Sequence, residues 1–322
     1  MLKHFSISID GRDAVTGDSV DTVLRSLIAA GEPVTYGCGA GNCGACRYVL
    51  TQGQVDHPAQ SILSAEQRLR GEILTCQCKP LTDLQLQSPQ RGASDPVTLS
   101  GVITRAERPT GDLIKLRIKL ESMLDFEPGQ YGLLKTPYGP ARPYSFASPG
   151  GQPVVEFHIR AVSGGKTGEP LYQHAKRGDP VELTGPMGSA YARDLNRPIC
   201  LIATGTGMAP MKAVLARLQQ IQHPGPVRMI WGNRGAADVY DESSLRALLA
   251  GIDDSHLDLV FSREGAKQRV TDVLQTAIPS LMGWTVFCAG NPQMVNDVEQ
   301  KVAVMGLQPS DWHADPFTAA EG

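Results

Sequence analysis

Apolar and polar positions alternate through Phe5, Ile7 and Ile9, which predicts a strand that turns at Asp10 and Gly11. The period then lengthens. Val20, Val23, Leu24, Leu27 and Ile28 recur at helical spacing, with Asp18 or Ser19 as candidate cap and Gly31 as stop. A strand through Arg47 to Leu50 follows, with a turn at Gly53, and Ser64 with Gln67 forms a candidate capping box for a short helix ahead of Cys76. Ser88 to Pro96 has the Pro/Gly/Ser composition of a tether. Beyond it, alternating runs at Val97–Ile103, Leu113–Leu120, Tyr131–Leu134 and Val154–Val162, divided by Gly and Pro turns, predict an antiparallel β-barrel. From Arg197 the pattern changes again: short apolar strands at Ile199–Ala203, Val227–Trp231, Leu257–Phe261 and Trp284–Cys288 alternate with amphipathic helices. One helix starts at Pro210 and faces inward with Met211, Val214, Leu215 and Leu218; the last is capped by Asn291, begins at Pro292 and ends at Gly306. That rhythm predicts a doubly wound parallel sheet. The chain therefore reads as multidomain, α+β followed by α/β: a first domain over 1–90, a linker over 91–96, a barrel domain over 97–195 and a parallel-sheet domain over 196–322.

Composition narrows the class. A chain of 322 residues, 41% hydrophobic and 20% charged, can bury two or three ordinary globular cores. A formal net charge of -3 argues against nucleic acid as a partner, and no apolar run of about 18 residues predicts a membrane span. Seven cysteines is an odd count, and the first residues read as a strand instead of a secretory signal, so reduced thiols and a cytoplasmic setting are expected. Three of the thiols, Cys38, Cys43 and Cys46, share one glycine-rich loop at C-x4-C-x2-C spacing, and Cys76 stands apart. This spacing fits the wrapping of a [2Fe-2S] cluster, with small residues letting backbone N–H groups approach the inorganic sulfides. Zinc is the competing reading, but structural zinc sites usually pair their thiolates as two short knuckles.

The order strand, helix, cysteine loop, strand, short helix, cysteine resembles the plant-type ferredoxin β-grasp, which implies Cys38, Cys43, Cys46 and Cys76 as cluster ligands; Cys78 matches no ligand position. The string Arg142, Pro143, Tyr144, Ser145 is similar to the R-x-Y-S/T motif of the ferredoxin–NADP reductase superfamily. That resemblance implies FAD, with Arg142 on the pyrophosphate, Tyr144 against the isoalloxazine and Ser145 near flavin N5; a surface Arg beside a core Tyr is the plainer reading. Gly164, Gly165, Lys166 and Thr167 resemble the second phosphate anchor, although Thr167 stands one position early. Thr204, Gly205, Thr206 and Gly207, running on to Pro210, resemble the G-T-G-x-A-P turn that takes the pyridine nucleotide, and Gly290, Asn291, Pro292 and Met294 the element beside the nicotinamide. Relatives often carry Cys directly before that glycine; here Cys288 lies one residue earlier, where a strand reverses the side chain, so it receives no catalytic role. Ser262 and Arg263, with Arg269 nearby, match a 2′-phosphate pair or are solvated loop residues, and Arg234 is a further adenosine-side candidate. Phe317 resembles the terminal aromatic that covers the flavin, or else plugs the last packing layer.

Taken in order, [2Fe-2S], FAD and NAD(P) modules resemble the reductase components of bacterial aromatic-ring hydroxylating dioxygenases. Ala141 to Ser145, Glu156 to Arg160 and the terminal Ala314, Asp315 and Phe317 carry the likeness, which adds His158 and Arg160 to the cofactor-binding set. The resemblance implies electron flow from NAD(P)H through FAD and the cluster to a Rieske-type ferredoxin or terminal oxygenase, with Ser145, Tyr144 and Phe317 at the reacting centre. Alternatives are a reductase of the same architecture serving a diiron monooxygenase or a deoxysugar dehydratase, and a zinc-stapled, non-redox binding module.

Overall fold

The computed structural model describes residues 3–317 apart from 33, 35, 37, 38, 40, 42–45, 57–62, 64, 89–95, 189, 192 and 193. The chain divides into two compact units, residues 1–95 and 96–317.

In the first unit, β1 (His4–Ile9), β2 (Val15–Asp18), α1 (Val23–Ala29), β3 (Arg47–Gln52), α2 (Ala65–Leu69), β4 (Glu72–Leu74) and β5 (Leu84–Gln87) follow one another. They build a five-stranded sheet in the order β2-β1-β5-β3-β4, with β1 and β5 parallel. Ile7, Ile9, Leu84 and Leu86 bury against Val23 and Leu27 of α1, which is how alternation in the strands and a stripe on the helix make one core. The helix starts later than its apolar spacing suggests. Asp18 spends its carboxylate on the N–H groups of Val20 and Asp21, at 2.8 and 2.7 Å, and so makes a turn; Thr22 is the cap, its hydroxyl accepting from Arg25 N. Val20 and Ile28 are consequently exposed. Ser64 lies outside the described residues.

The second unit begins with β6 (Val97–Thr110), β7 (Leu113–Leu124), β8 (Tyr131–Thr136), β9 (Gly139–Ser145), β10 (Gln152–Arg160), α3 (Gly168–His174) and β11 (Pro180–Met187). Six antiparallel strands in the order β10-β7-β6-β11-β8-β9 curl into a barrel whose ends meet just past β9, where Ala147 N–H donates to the Glu156 carbonyl at 2.8 Å. Phe146, Phe157, Leu116 and Ile118 fill it. The Arg-Pro-Tyr-Ser string itself forms β9, a strand that the two prolines conceal in the sequence; the end position in the sheet tolerates them, because an edge strand loses no essential ladder bond.

The chain continues through β12 (Ile199–Thr204), α4 (Met208–Gln220), β13 (Val227–Asn233), α5 (Glu242–Leu249), β14 (Ser255–Phe261), α6 (Val270–Ala277), β15 (Thr285–Gly290), α7 (Pro292–Val304) and β16 (Trp312–Pro316). All five strands are parallel, in the order β14-β13-β12-β15-β16, with α4 and α5 packed on one face and α6 and α7 on the other. The order reverses between β12 and β15, the crevice where open α/β sheets bind ligands. Helix α4 opens at Met208, two residues before Pro210, which sits among the first N–H positions that have no partner within the helix. Leu113 of β7 joins the core under α4, so barrel and parallel sheet share apolar packing within this unit.

Candidate functional site

In the first unit two of the four expected cluster thiols are described, and both are buried: Cys46 and Cys76. Thr75 brings them together, since its backbone N–H and its hydroxyl both donate to the Cys46 carbonyl, at 3.1 and 2.9 Å. Gln77 Nε2 lies 3.8 Å from Cys76 Sγ, a donor of the kind that tunes an iron–sulfur thiolate. Two buried thiols and an amide donor fit a [2Fe-2S] group; Cys38 and Cys43 lie outside the described residues. Cys78 packs in the sheet core beside Ile7 and Leu84.

On β9 the side chains of Arg142 and Tyr144 share one face, opposite Leu134 and Gly132 of β8. Among the described residues the Arg142 guanidinium makes one hydrogen bond, to the Ala141 carbonyl at 3.3 Å, and no ion pair. Such an uncommitted fork fits a phosphate. Burial pushes the Tyr144 hydroxyl well above its ordinary range, which keeps the ring a neutral flat surface. Pro143 and Ser145 belong to the other face. Ser145 is buried and its Oγ donates to Asp315 Oδ2 at 2.5 Å, a partner from β16 that the sequence motif does not announce. The Gly164–Thr167 loop docks against the start of β9, where a Cβ on Gly139 would lie 2.3 Å from the Lys166 carbonyl. Thr167 is buried and donates to the Pro140 carbonyl at 3.0 Å, so its hydroxyl ties the loop to β9, while Gly164 N–H meets Glu169 Oε2 at 2.8 Å. Lys166 is exposed.

A cleft of about 600 Å³ opens at the carboxyl ends of β12 and β15, lined among others by Arg160, Thr204, Gly205, Thr206, Asn233 and Phe317. Its floor is shaped by close approach. A Cβ at Gly207 would come within 2.1 Å of the Ala289 carbonyl, and one at Gly290 within 2.4 Å of Thr204 Oγ1, so only glycine lets the two turns meet. Thr204 Oγ1 accepts from Asn291 N at 3.1 Å, and Phe317 N–H donates to the Gly290 carbonyl at 2.7 Å, placing the ring on the rim. The buried Trp231, which belongs to no motif in the sequence, donates its indole N–H to the Gly205 carbonyl at 3.0 Å and holds the turn.

The charges in the cleft are mixed. Arg160 ion-pairs with Asp112, which also lies 3.9 Å from Arg234, and Arg234 is held by Asp238 at 2.8 Å. The hydrogen bond from Arg234 holds the Asp238 carboxyl below its ordinary range. Asn233 lines the cleft, and both its amide atoms are buried without a hydrogen-bond partner among the described residues, leaving a donor and an acceptor unused. Ser262 and Arg269 line the cleft as well; Arg263 does not, its backbone N–H pairing with the Arg234 carbonyl at 2.9 Å. His158 is elsewhere, sealed under β10 with Nε2 against Glu156 Oε1 at 2.7 Å and Nδ1 against Tyr240 OH at 3.2 Å. Cys288 faces the core beneath α6 and α7, on the side of β15 opposite Phe287 and Ala289, and burial raises its thiol out of the nucleophilic range.

Comparison with known proteins follows the same division. The chain matches a 2Fe-2S iron-sulfur cluster binding domain over residues 7–81, an oxidoreductase FAD-binding domain over 100–191 and an oxidoreductase NAD-binding domain over 201–300. It is 31% identical over 317 residues to the ferredoxin–NAD(P)+ reductase component of the naphthalene 1,2-dioxygenase/salicylate 5-hydroxylase systems of a Ralstonia species, covering 95% of both chains. Identity to the corresponding naphthalene 1,2-dioxygenase component of Pseudomonas putida is 32% over 310 residues, with 92% of this chain and 93% of that one covered. Among solved structures, the Amycolatopsis reductase GcoB superposes with a TM-score of 0.73 at 30% identity, over 98% of this chain and 100% of that one.

Proposed function

Because this chain belongs to the family of ferredoxin–NAD(P)+ reductase components of aromatic dioxygenase systems, we propose that it takes hydride from NAD(P)H and delivers single electrons, in the cytoplasm, to a Rieske-type ferredoxin or terminal oxygenase. When bound, the nicotinamide donates hydride, the flavin splits the electron pair and the [2Fe-2S] cluster passes the electrons on singly. The chain binds and orients these groups. In this reading residues 1–90 hold the cluster on Cys38, Cys43, Cys46 and Cys76; residues 97–195 hold FAD and 196–322 the nucleotide. Arg142 neutralises the flavin pyrophosphate, Tyr144 offers its ring, and the backbone of Gly205–Gly207 with Arg160 receives the nucleotide diphosphate. Ser145 Oγ and the half-exposed Asp315 form a two-member path along which a proton moves between the buried end of β9 and solvent.

The observation that carries this reading is the meeting of the two halves: β16 brings Asp315 to the flavin-motif serine and, two residues on, puts Phe317 on the rim of the nucleotide cleft. The test is anaerobic titration of the purified protein with NADH and NADPH. Flavin and iron–sulfur absorption both bleach if the reading is right, and a cluster-free or flavin-free protein after reconstitution overturns it. Cys76→Ser then abolishes reduction of one-electron protein acceptors such as cytochrome c and retains reduction of a small dye by the flavin; equal loss of both contradicts the order of transfer.

A further inference from the structure

A chain of alternating charges, with Glu156 buried, Lys115, Lys212 and Asp241 largely covered and Arg117 exposed at one end, joins the barrel to the nucleotide half of the second unit. The barrel contributes Lys115 and Arg117 from β7 and Glu156 and His158 from β10; the nucleotide half contributes Lys212 from α4 and Tyr240 and Asp241 from the entry to α5. Lys212 Nζ donates to Glu156 Oε1 at 2.7 Å and to Asp241 Oδ2 at 2.6 Å, and Lys115 Nζ to Asp241 Oδ1 at 2.8 Å. Arg117 Nε closes the far end on Glu156 Oε2 at 2.8 Å. The sequence of charge is thus Arg117, Glu156, Lys212, Asp241, Lys115, with His158 and Tyr240 as a neutral crossing alongside. Glu156, His158 and Asp241 approach closely enough to suggest a metal site, but the Lys212 ammonium is bonded to both carboxylates and supplies the cation.

Such a network is a poor general adhesive; it acts as a register device around the buried Glu156, because a buried carboxylate is costly without its partners. Its barrel members and its nucleotide-half members each reach one of the two reaction sites. On the barrel side, Glu156 exchanges backbone contacts with the segment just past Ser145: its N–H donates to Ser148 Oγ at 3.1 Å and its carbonyl accepts from Ala147 N at 2.8 Å. On the nucleotide side, Lys212 lies in the second turn of the helix that springs from Gly205–Gly207. Tyr240 meets Trp231 edge-on at 5.5 Å, and Trp231 holds the Gly205 carbonyl. Asp241 adopts φ 58°, a left-handed conformation uncommon outside glycine, which turns its carboxylate between the two lysines.

We propose that this charge chain, centred on Lys212, is the positioning joint for hydride transfer, fixing the Gly205–Gly207 turn relative to the flavin strand β9. The proposal rests on the hydride-transfer reading above, and its test separates the two. The holoprotein is mixed anaerobically with NADH, and with NADH deuterated at the transferred position, while flavin bleaching is followed over a range of nucleotide concentrations. Lys212→Met lowers the limiting rate about a hundredfold, the scale of a 1 Å misplacement. FAD content and the NADH dissociation constant stay within about twofold, and the isotope effect rises, because the loss falls on the transfer step and not on binding. Lys212→Arg, which keeps a cation between the two carboxylates, recovers most of the rate. Tyr240→Phe removes a single hydroxyl, leaves every charge paired and lowers the limiting rate several-fold, so it decides the matter even if Lys212→Met does not fold. Unchanged limiting rates in the folded variants overturn the joint, as does a loss expressed wholly as released FAD or weaker NADH binding. Failure of the unaltered protein to bleach with either NADH or NADPH instead overturns the hydride-transfer reading.

Discussion

Ser145 and Asp315 are 170 positions apart and share the shortest hydrogen bond of the flavin strand. If that pair moves a proton as proposed, Asp315→Asn slows turnover with a protein acceptor by on the order of 10²-fold, within the range of a single acid–base group, while NADH affinity holds. Stopped-flow traces in which Asp315→Asn matches the unaltered protein would remove the pair from the mechanism. The charges in the cleft predict a nucleotide preference. Asp112 and Asp238 neutralise Arg160 and Arg234, and Arg263 takes no part in the lining, so a 2′-phosphate meets carboxylates as well as Arg269. NADH should exceed NADPH in kcat/KM by about tenfold or more, since like-charge contact at these separations costs a kcal/mol or above. Asp238→Asn should narrow that ratio, and a preference for NADPH in the unaltered protein would contradict the argument. Arg142, Tyr144, Ser145 and the Gly205 turn stand out in the sequence because each belongs to a contiguous string with local chemistry. The partnerships of Asp315, Trp231 and Lys212 do not, because they depend on which elements lie side by side.

Elements were misread where polar side chains decide the backbone. Asp18, which the sequence offers beside Ser19 as a cap for α1, makes a turn; β16 is only five residues long, with Trp312 and Ala314 its two core-facing positions, and gains its place by pairing with β15. Period was enough for β12 to β15 and for the helices between them, where apolar runs report burial directly. The crossing between β10 and α4 makes stability depend on pH in a predictable sense. Burial pushes the Glu156 and Asp241 carboxyls up, but hydrogen bonds from His158 and Lys212 to the first, and from Lys115 and Lys212 to the second, more than reverse this and hold both below the ordinary range. Burial lowers His158, against the pull of Glu156, and also lowers His223 and His313. A lowered folded-state value means that the unfolded chain binds the proton more readily, so each group's contribution is full above its unfolded value and is lost as pH falls toward the folded one. Thermal unfolding of the second unit should therefore be flat above about pH 7, decline from about pH 6.5 as the histidines are taxed, and fall more steeply below about pH 4 with the carboxylates. His158→Gln should remove part of the upper decline; a melting temperature that rises between pH 7 and pH 5 would reverse the sign of the account.

At the scale of the whole molecule, the cores divide as the two units do. Ile7, Leu27, Leu84 and Leu86, with the small cluster around Cys46 and Cys76, are built from residues before position 90, and the three larger cores from residues after position 96. In the sequence the hydrophobic period changes around position 96, whereas the charge chain that unites barrel and parallel sheet leaves no local signal, its members being scattered from Lys115 to Asp241. A unit with its own core folds alone. A chain beginning at Pro96 should accordingly be soluble, yellow without the brown of iron–sulfur, and bleached by NADH, with dye reduction within about twofold of the full-length protein because the hydride site lies wholly inside that unit. Its reduction of cytochrome c should fall to background, since the one-electron exit has been removed. Loss of dye reduction on truncation, in a protein that still holds FAD, would mean that residues before Pro96 contribute to the hydride site, and the assignment of the cluster domain as a separate exit would have to be given up.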